Sequence, residues 1–293
     1  MKQAKGTLIG TRSVRLAYGT WLPDAEPRAV VVLVHGMHEH MGRYVHVIDA
    51  LTQHGYAVYG QDHRGHGESQ GVRGFVERFD YLVDDLHLLV SKAHTTHPQL
   101  PLFMVGHSMG GLIAVRYALQ HQANLTGLIV SGTAIQFGDH VSPWIKRMSA
   151  MLATLLPRLP ITASHAEVES VLSRDPAVQL GWDNDPLCYQ GKVRARLGHE
   201  FLKAAMDTRL RVGQLRLPLL VMHGTADKLA DPSGSQVLYD AVQSSDKTLK
   251  LWNESRHEIF NELDKAEVIA FMLRWLDQRV TREQADVLAT QLI

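Results

Sequence analysis

Three residues, far apart along the chain, stand in the surroundings that nucleophilic acyl chemistry needs. Ser108 lies in Gly106-His107-Ser108-Met109-Gly110-Gly111, directly after the apolar run Leu102-Phe103-Met104-Val105. A buried strand that turns abruptly into a helix exposes a serine at its tip, and the turn is so tight that the positions two before and two after must be glycine. Gly106 and Gly110 meet that demand. Leu112, Ile113, Val115 and Ala118 supply the apolar face of the helix that follows, whose N-terminus favours developing negative charge. A G-x-S-x-G pentapeptide recurs by chance, so its partners decide the matter. A serine hydroxyl is a weak nucleophile at neutral pH; it needs an imidazole to accept its proton and a carboxylate to hold that imidazole in the right tautomer.

On a strand, turn and helix of this type the chain order is serine, acid, histidine. Of 17 histidines only His257 follows residue 227, just beyond an expected strand ending at Trp252. The acid should end the preceding strand, and Leu219-Leu220-Val221-Met222-His223-Gly224-Thr225-Ala226-Asp227 supplies Asp227. Asp231 is the nearest competitor, but Asp231-Pro232-Ser233 reads as a helix cap followed by proline at the first helical position. The oxyanion of the tetrahedral intermediate needs two backbone donors, one from the residue after the nucleophile and one from the loop after an early strand. These are Met109 and, in His35-Gly36-Met37-His38-Glu39-His40, Met37.

A metal reading of His35, His38, His40, His63 and His66 lacks a supporting pattern, since no H-E-x-x-H occurs and His38-Glu39-His40 is not followed by an Asp-His pair. The segment Asp62-His63-Arg64-Gly65-His66-Gly67-Glu68-Ser69 reads instead as a tight loop with Asp62 and Arg64 placed for ion pairs and cap bonds. Cys188, the single cysteine, excludes an intramolecular disulfide and reads as a small buried hydrophobe.

The elements that must position these groups follow from the hydrophobic pattern. Ala29 to Val34, Tyr56 to Gln61, Leu102 to Val105, Leu125 to Val130, Leu217 to Met222 and Thr248 to Trp252 read as strands separated by amphipathic stretches. That alternation predicts an α/β fold: a mostly parallel sheet flanked by helices, with ligands at the carboxyl ends of the strands. Thr7 to Thr11 and Val14 to Trp21 alternate more loosely and predict an antiparallel pair at one edge. Between about Ile135 and His199 the alternation breaks, with five prolines and no clear strand, which predicts an inserted helical cap. The expected organisation is a core over 1–134, a cap over 135–199 and the rest of the core over 200–293. In the cap, Val141, Ile145, Met148, Leu152, Leu155 and Leu159 recur at helical spacing, with Ser142 at the start and Pro157 at the end. At the C-terminus, Thr281 and Gln284 fit a capping box for a short last helix.

With 293 residues, 45% of them hydrophobic, and 30 basic against 30 acidic side chains, nothing in the composition favours nucleic acid, and a neutral or weakly charged small molecule is expected. The first thirty residues lack a secretory pattern and no run of roughly 18 apolar residues occurs. A cytoplasmic setting is expected, with any membrane or lipid-aggregate contact peripheral and made through the cap.

Taken together, His35-Gly36, Glu39-His40 and Gly42-Arg43-Tyr44, the Asp62 to Ser69 segment, Gly106 to Gly111 and the Asp227 and His257 loops resemble the monoacylglycerol lipase family of the α/β-hydrolase superfamily. The likeness spans nearly the whole chain. It implies the α/β-hydrolase fold, a cap over the site, no cofactor, and cleavage of monoacylglycerols to glycerol and fatty acid through an acyl-enzyme on Ser108. One departure stands out: many relatives carry glycine at the place of His38, so a positive φ there would strain the loop that holds Met37. The alternatives are a general carboxylesterase or lysophospholipase with the same three residues, a peptidase or haloperoxidase, and a ligand-binding pseudo-hydrolase without turnover. Dehalogenases and epoxide hydrolases place aspartate at the elbow instead.

Overall fold

The computed structural model describes residues 1–136, 142–161 and 171–291. Eight strands form one sheet: β1 (Lys2–Ile9), β2 (Arg15–Leu22), β3 (Ala29–Val34), β4 (Tyr56–Gln61), β5 (Leu102–His107), β6 (Gly127–Ser131), β7 (Leu219–Gly224) and β8 (Lys247–Trp252). Their order is β1-β2-β4-β3-β5-β6-β7-β8; β1 and β2 run antiparallel at one edge, and β3 to β8 pair in parallel. The edge pair and the parallel centre follow the alternation of the sequence. Strands β6 and β7 start two residues later than their apolar runs suggest; Leu125 and Leu217 are buried in the core but precede the paired residues of the sheet.

Period-two alternation in β3 shows how the sheet is covered on both faces. Val30, Val32 and Val34 pack with α2 (Asp80–Thr96) and α3 (Met109–His121), while Val31 and Leu33 pack with α1 (Val45–Gln53) and α8 (Lys265–Gln291). The helices of the irregular middle stretch are α4 (Pro143–Leu155), α5 (Pro176–Asn184) and α6 (Ala195–Arg211), and α7 (Ser233–Ala241) follows β7. Helix α4 ends two residues before Pro157, as its sequence predicts, and Ser142 occupies the cap position without a side-chain cap bond. Val141 lies outside the described residues. Helix α6 runs continuously through residue 199, where the insertion was expected to end.

The last helix corrects one expectation. Instead of a new helix starting at Thr281, α8 continues unbroken, and the Thr281 hydroxyl donates to the Asp277 carbonyl one turn back (3.0 Å). No proline or glycine interrupts the chain between Lys265 and Gln291, so nothing stops propagation, and a mid-helix threonine satisfies itself on the i−4 carbonyl.

Backbone-to-backbone packing under the elbow fixes the centre of the sheet. A Cβ on Gly110 would lie 2.1 Å from the Val34 carbonyl oxygen and 2.3 Å from that of His35, and one on Gly106 would lie 2.6 Å from the Gly110 oxygen. None of these contacts can be relieved by a rotamer change. Gly110→Ala is therefore expected to destabilise the fold by about 3 kcal/mol or more, read as a lower denaturant midpoint; an unchanged midpoint would show that α3 can move away from β3.

Candidate active site

At the carboxyl end of β5 the chain reverses through Ser108, whose φ of 53° and ψ of −118° lie in a region that L-residues avoid. Its backbone N–H donates to the Ser131 carbonyl at the end of β6 (2.9 Å), which ties the elbow to the neighbouring strand. Strain of this kind persists only where surrounding structure enforces it. The glycine contacts described above supply that enforcement.

Loop 35–40 follows β3 and lies against the elbow. The His35 ring accepts the His63 N–H at Nε2 (3.0 Å), so its proton sits on Nδ1 and is donated to the Gly36 carbonyl (2.7 Å). Because the peptide is planar and trans, holding the Gly36 C=O also sets the direction of the Met37 N–H. From the other side, Glu39 Oε1 accepts the Gly36 N–H and the Tyr44 hydroxyl (2.7 Å). His38 does adopt a positive φ, 65°, and the turn is held there by a hydrogen bond from the Tyr189 N–H to the His38 carbonyl (3.0 Å). Among the described residues, neither the Met37 N–H nor the Met109 N–H donates to a protein acceptor, and both residues line the same cavity as Ser108.

Asp227 follows β7 in a turn and is surrounded by donors. Its Oδ2 accepts from His257 Nδ1 (2.7 Å) and His223 Nε2 (2.9 Å), and its Oδ1 accepts the N–H groups of Leu229 (2.8 Å) and Ala230 (3.0 Å). With Nδ1 of His257 committed to Asp227, Nε2 is left as the basic nitrogen of the ring, and His257 lines the cavity with Ser108. Asp231, the competitor, instead accepts the Ser233 N–H (2.9 Å) at the start of α7. The acid and histidine loops are also packed backbone on backbone, since a Cβ on Gly224 would meet the Ser255 and Arg256 carbonyls at 2.2 and 2.3 Å.

His223 was not singled out in the sequence. It is fully buried, is paired at Nδ1 with Ser235 Oγ (2.6 Å), and bonds through Nε2 to the same Asp227 oxygen that His257 engages. The pattern that could have revealed it is its spacing, four residues before the acid on the same strand end. Burial opposes the charge of Asp227, yet the bonds from His223 and His257 outweigh it and hold the carboxyl well below the usual carboxylate range. For His257 burial disfavours the imidazolium, but the hydrogen bond and charge of Asp227 prevail and the pKa rises above that of a free histidine. His107, whose ring is tilted against that of His257 with centroids 4.8 Å apart, is driven the other way, to about 3, first by burial and then by repulsion from His257.

The histidines behind the loop form a neutral stack. His35 and His63 have ring centroids 4.1 Å apart, and burial lowers His63 to about 3 and His66 to about 4, with His35 pushed well down as well. Asp62 accepts the Met41 and Glu68 N–H groups, and Arg64 forms a two-point ion pair with Asp85 (2.7 and 2.7 Å), the cap and pairing roles expected of that loop. Among the described residues only His40, Asp185 and Cys188 bring three ligand atoms within 4.8 Å of one another. His40 Nδ1 accepts the Gly42 N–H and Nε2 donates to Asp185 (2.8 Å), so its lone pair is already engaged, and burial pushes the Cys188 thiol up to about 12. That is poor chemistry for a cation.

At Ser108 lies a cavity of about 390 Å³, whose apolar lining includes Ile145, Val171, Trp182, Val193, Phe201 and Leu202. Catalysis by His257 as a base requires the neutral ring, so kcat/KM is expected to fall as pH drops through the raised His257 pKa. Asp227→Asn removes the two largest raising influences and leaves the weaker ones of Glu258 and Glu39 against burial, so the acid limb should move to lower pH while the maximal rate falls by about 10⁴-fold, the loss expected of a wrong tautomer. An acid limb that stays in place would show that Asp227 does not govern the base.

Comparison with known proteins agrees with this architecture. Residues 25–264 match the family model described as serine aminopeptidase, S33. A monoacylglycerol lipase of Mycolicibacterium smegmatis is 36% identical over 274 residues, covering 94% of this chain and 97% of the relative. A phospholipase of Bacillus subtilis is 32% identical, covering 89% and 99% of the two chains. A soluble variant of the Saccharomyces cerevisiae monoglyceride lipase, solved with a substrate analog, superposes with a TM-score of 0.81 at 27% identity over 94% of each chain. The chain belongs to the serine aminopeptidase S33 family and, within the α/β-hydrolase fold, stands among monoacylglycerol lipases.

Proposed function

We propose that this protein is a serine ester hydrolase that cleaves monoacylglycerols to glycerol and free fatty acid without a cofactor. The observation that carries the reading is the apolar cavity that ends at Ser108 and His257, which suits one acyl chain presented to an activated serine. Ser108 Oγ attacks the ester carbonyl as His257 Nε2 takes its proton, and Asp227 stabilises the imidazolium. The Met37 and Met109 N–H groups receive the oxyanion. Collapse of the intermediate expels glycerol with the proton from His257, and water then releases the fatty acid by the same steps in reverse. Residues 135–199 act as the cap over this site, an assignment supported by the contributions of α4, α5 and α6 to the cavity wall.

The outer face of α4 supports contact with lipid. Trp144, Met148, Met151 and Leu155, at helical spacing, are 50 to 69% exposed, and such a stripe rests favourably at the boundary between headgroups and acyl chains. No helix among the described residues is long and apolar enough to cross a membrane. Contact of this kind is peripheral. Replacing Trp144 and Met148 together by serine is expected to reduce hydrolysis of monoacylglycerol in vesicles at least tenfold more than hydrolysis of the same ester dissolved below its micellar concentration. Equal losses on both would assign α4 to the cavity alone.

Glycerol and fatty-acid release from long-chain monoacylglycerol, measured beside short p-nitrophenyl esters and L-leucine p-nitroanilide, tests the main reading. The protein should turn over the first rapidly and the anilide not at all, and Ser108→Ala should lose about 10⁴-fold or more in kcat. Turnover confined to short esters would make it a general carboxylesterase, and absence of covalent labelling by a fluorophosphonate would make it a binding protein.

A further inference from the structure

Two polar side chains of the cavity belong neither to the catalytic groups nor to the loops that carry them. The Ser149 hydroxyl on α4 and the His199 imidazole on α6 both line the cavity, and Ser149 Oγ lies 3.2 Å from His199 Nδ1, so a hydrogen bond joins the two helices there. Their surroundings are apolar. Ile145 stands one turn before Ser149 and Leu202 one turn after His199, spacings that put each pair on one helix face, and both line the same cavity. Ile161 packs onto Gly198 beside the imidazole, where a Cβ would lie 2.7 Å from Ile161 Cδ1. Gln179, also in the lining, commits its amide nitrogen to Asp183 on its own helix (2.9 Å).

A saturated acyl chain has no use for such a pair. Burial lowers the pKa of His199, with Glu200 opposing and Arg196 and Lys203 adding to it, so the ring is neutral at neutral pH. A neutral imidazole with one nitrogen engaged presents the other as a donor or an acceptor, according to tautomer. Among the described residues Nε2 of His199 has no protein partner. Solvent serves such a nitrogen while a cavity is open, but an alkyl chain displaces the solvent and returns nothing, which leaves a buried polar atom unpaired. A hydroxyl on the chain both donates and accepts, so it meets Nε2 in either tautomer. A carbonyl or ether oxygen meets only one of them, and a carboxylate finds no cation, since no lysine or arginine is among the described residues lining the cavity.

We propose that Ser149 and His199 form a subsite inside the acyl cavity that recognises a hydroxyl group on the chain, so that the preferred substrates are esters of hydroxylated fatty acids. This rests on the reading of Ser108 as the nucleophile of a lipid esterase and specifies the acyl half of its substrate. Ser149 holds the ring across the gap between α4 and α6, and His199 makes the contact. Because the pair stands at a fixed place relative to Ser108, recognition selects one position along the chain.

A series of 1-stearoylglycerol analogues, each with a single hydroxyl at a different carbon from beside the ester carbonyl to the middle of the chain, is compared with 1-stearoylglycerol itself in the same detergent micelles. Fatty-acid release is measured for the wild-type protein, His199→Leu and Ser149→Ala. In the wild type, the analogue whose hydroxyl reaches the pair should exceed the plain ester by about tenfold in kcat/KM, the scale of one satisfied hydrogen bond at a buried polar atom. Analogues hydroxylated elsewhere should fall below the plain ester. His199→Leu sets hydrocarbon against the same hydroxyl and should lower that ratio by at least about tenfold, and Ser149→Ala, which leaves the ring unheld, by about threefold. Each ratio compares one protein on two esters of equal chain length, so general changes in the fold or in the catalytic groups cancel. A plain ester preferred over every analogue, a gain spread evenly over all positions, or a ratio that His199→Leu leaves unchanged overturns the proposal. Should His199→Leu not fold, the wild-type ranking and Ser149→Ala still decide. Absence of Ser108-dependent release from every ester, plain or hydroxylated, is a different result: it overturns the lipid-esterase reading and the subsite with it.

Discussion

Close approach of backbone to backbone at the carboxyl ends of β3, β5 and β7 is the constraint from which the site follows. Gly110 lets α3 start against the Val34 and His35 carbonyls, Gly106 lets β5 pass beneath it, and Gly36 and Gly224 let two further loops come within reach. At Gly106, Gly110 and Gly224 a Cβ would meet backbone atoms closer than 3.0 Å, so the chain itself would have to move, whereas at Gly36 it would meet the Glu39 side chain at 2.7 Å. The positive φ of Ser108 is the local cost of that packing, and the sheet holds it in place from both sides. The same construction brings Met37 and Met109 to the lining of one cavity with Ser108.

Much of this was legible in the chain because glycine spacing, apolar runs and residue order each report on backbone geometry. The β5 run, the G-x-S-x-G spacing and the single late histidine place Ser108, Asp227 and His257 after three parallel strands at the carboxyl end of the sheet, and the structure has them after β5, β7 and β8. The conditional expectation at His38 is met by its φ of 65°. What resisted reading were interactions between side chains distant in sequence. His223 has no signature beyond its spacing from Asp227, and the ion pairs of Arg43 span 4 residues to Glu39 but 215 to Glu258. Thr281 and Gln284 matched a local capping pattern, but a capping box marks a helix start only where the preceding helix has ended, and here it has not.

Electrostatics divides the site into groups that hold charge and groups that are kept from it. Asp227 and Glu258 are held toward the ionised form by their partners, so their burial penalty is met by hydrogen bonds of short length, whereas burial pushes Glu39 upward. The surroundings of His257 favour the protonated form, in contrast to those of His107 and His199 in the same cavity. Its neighbour His107, only one position from the nucleophile, is kept neutral by burial and by repulsion from His257, which the more distant charges of Glu258 and Asp227 do not offset. A base and a neutral spacer thus arise from identical side chains 4.8 Å apart.

The neutral stack of His35, His63 and His66 has a consequence for the whole fold. An unfolded chain binds protons at these rings below about pH 6.5, whereas in the folded protein His63 and His66 wait until about 3 and 4. Unfolding in mild acid is therefore accompanied by proton uptake, and the native state loses ground steadily as pH falls from 6.5. Acid thus acts on this protein at two separate places: on the charge of one ring in the cavity, reversibly, and on the cohesion of the loop behind it. Because that loop carries Met37, the order in which the two events occur decides whether an acidified sample recovers by simple titration or has to refold.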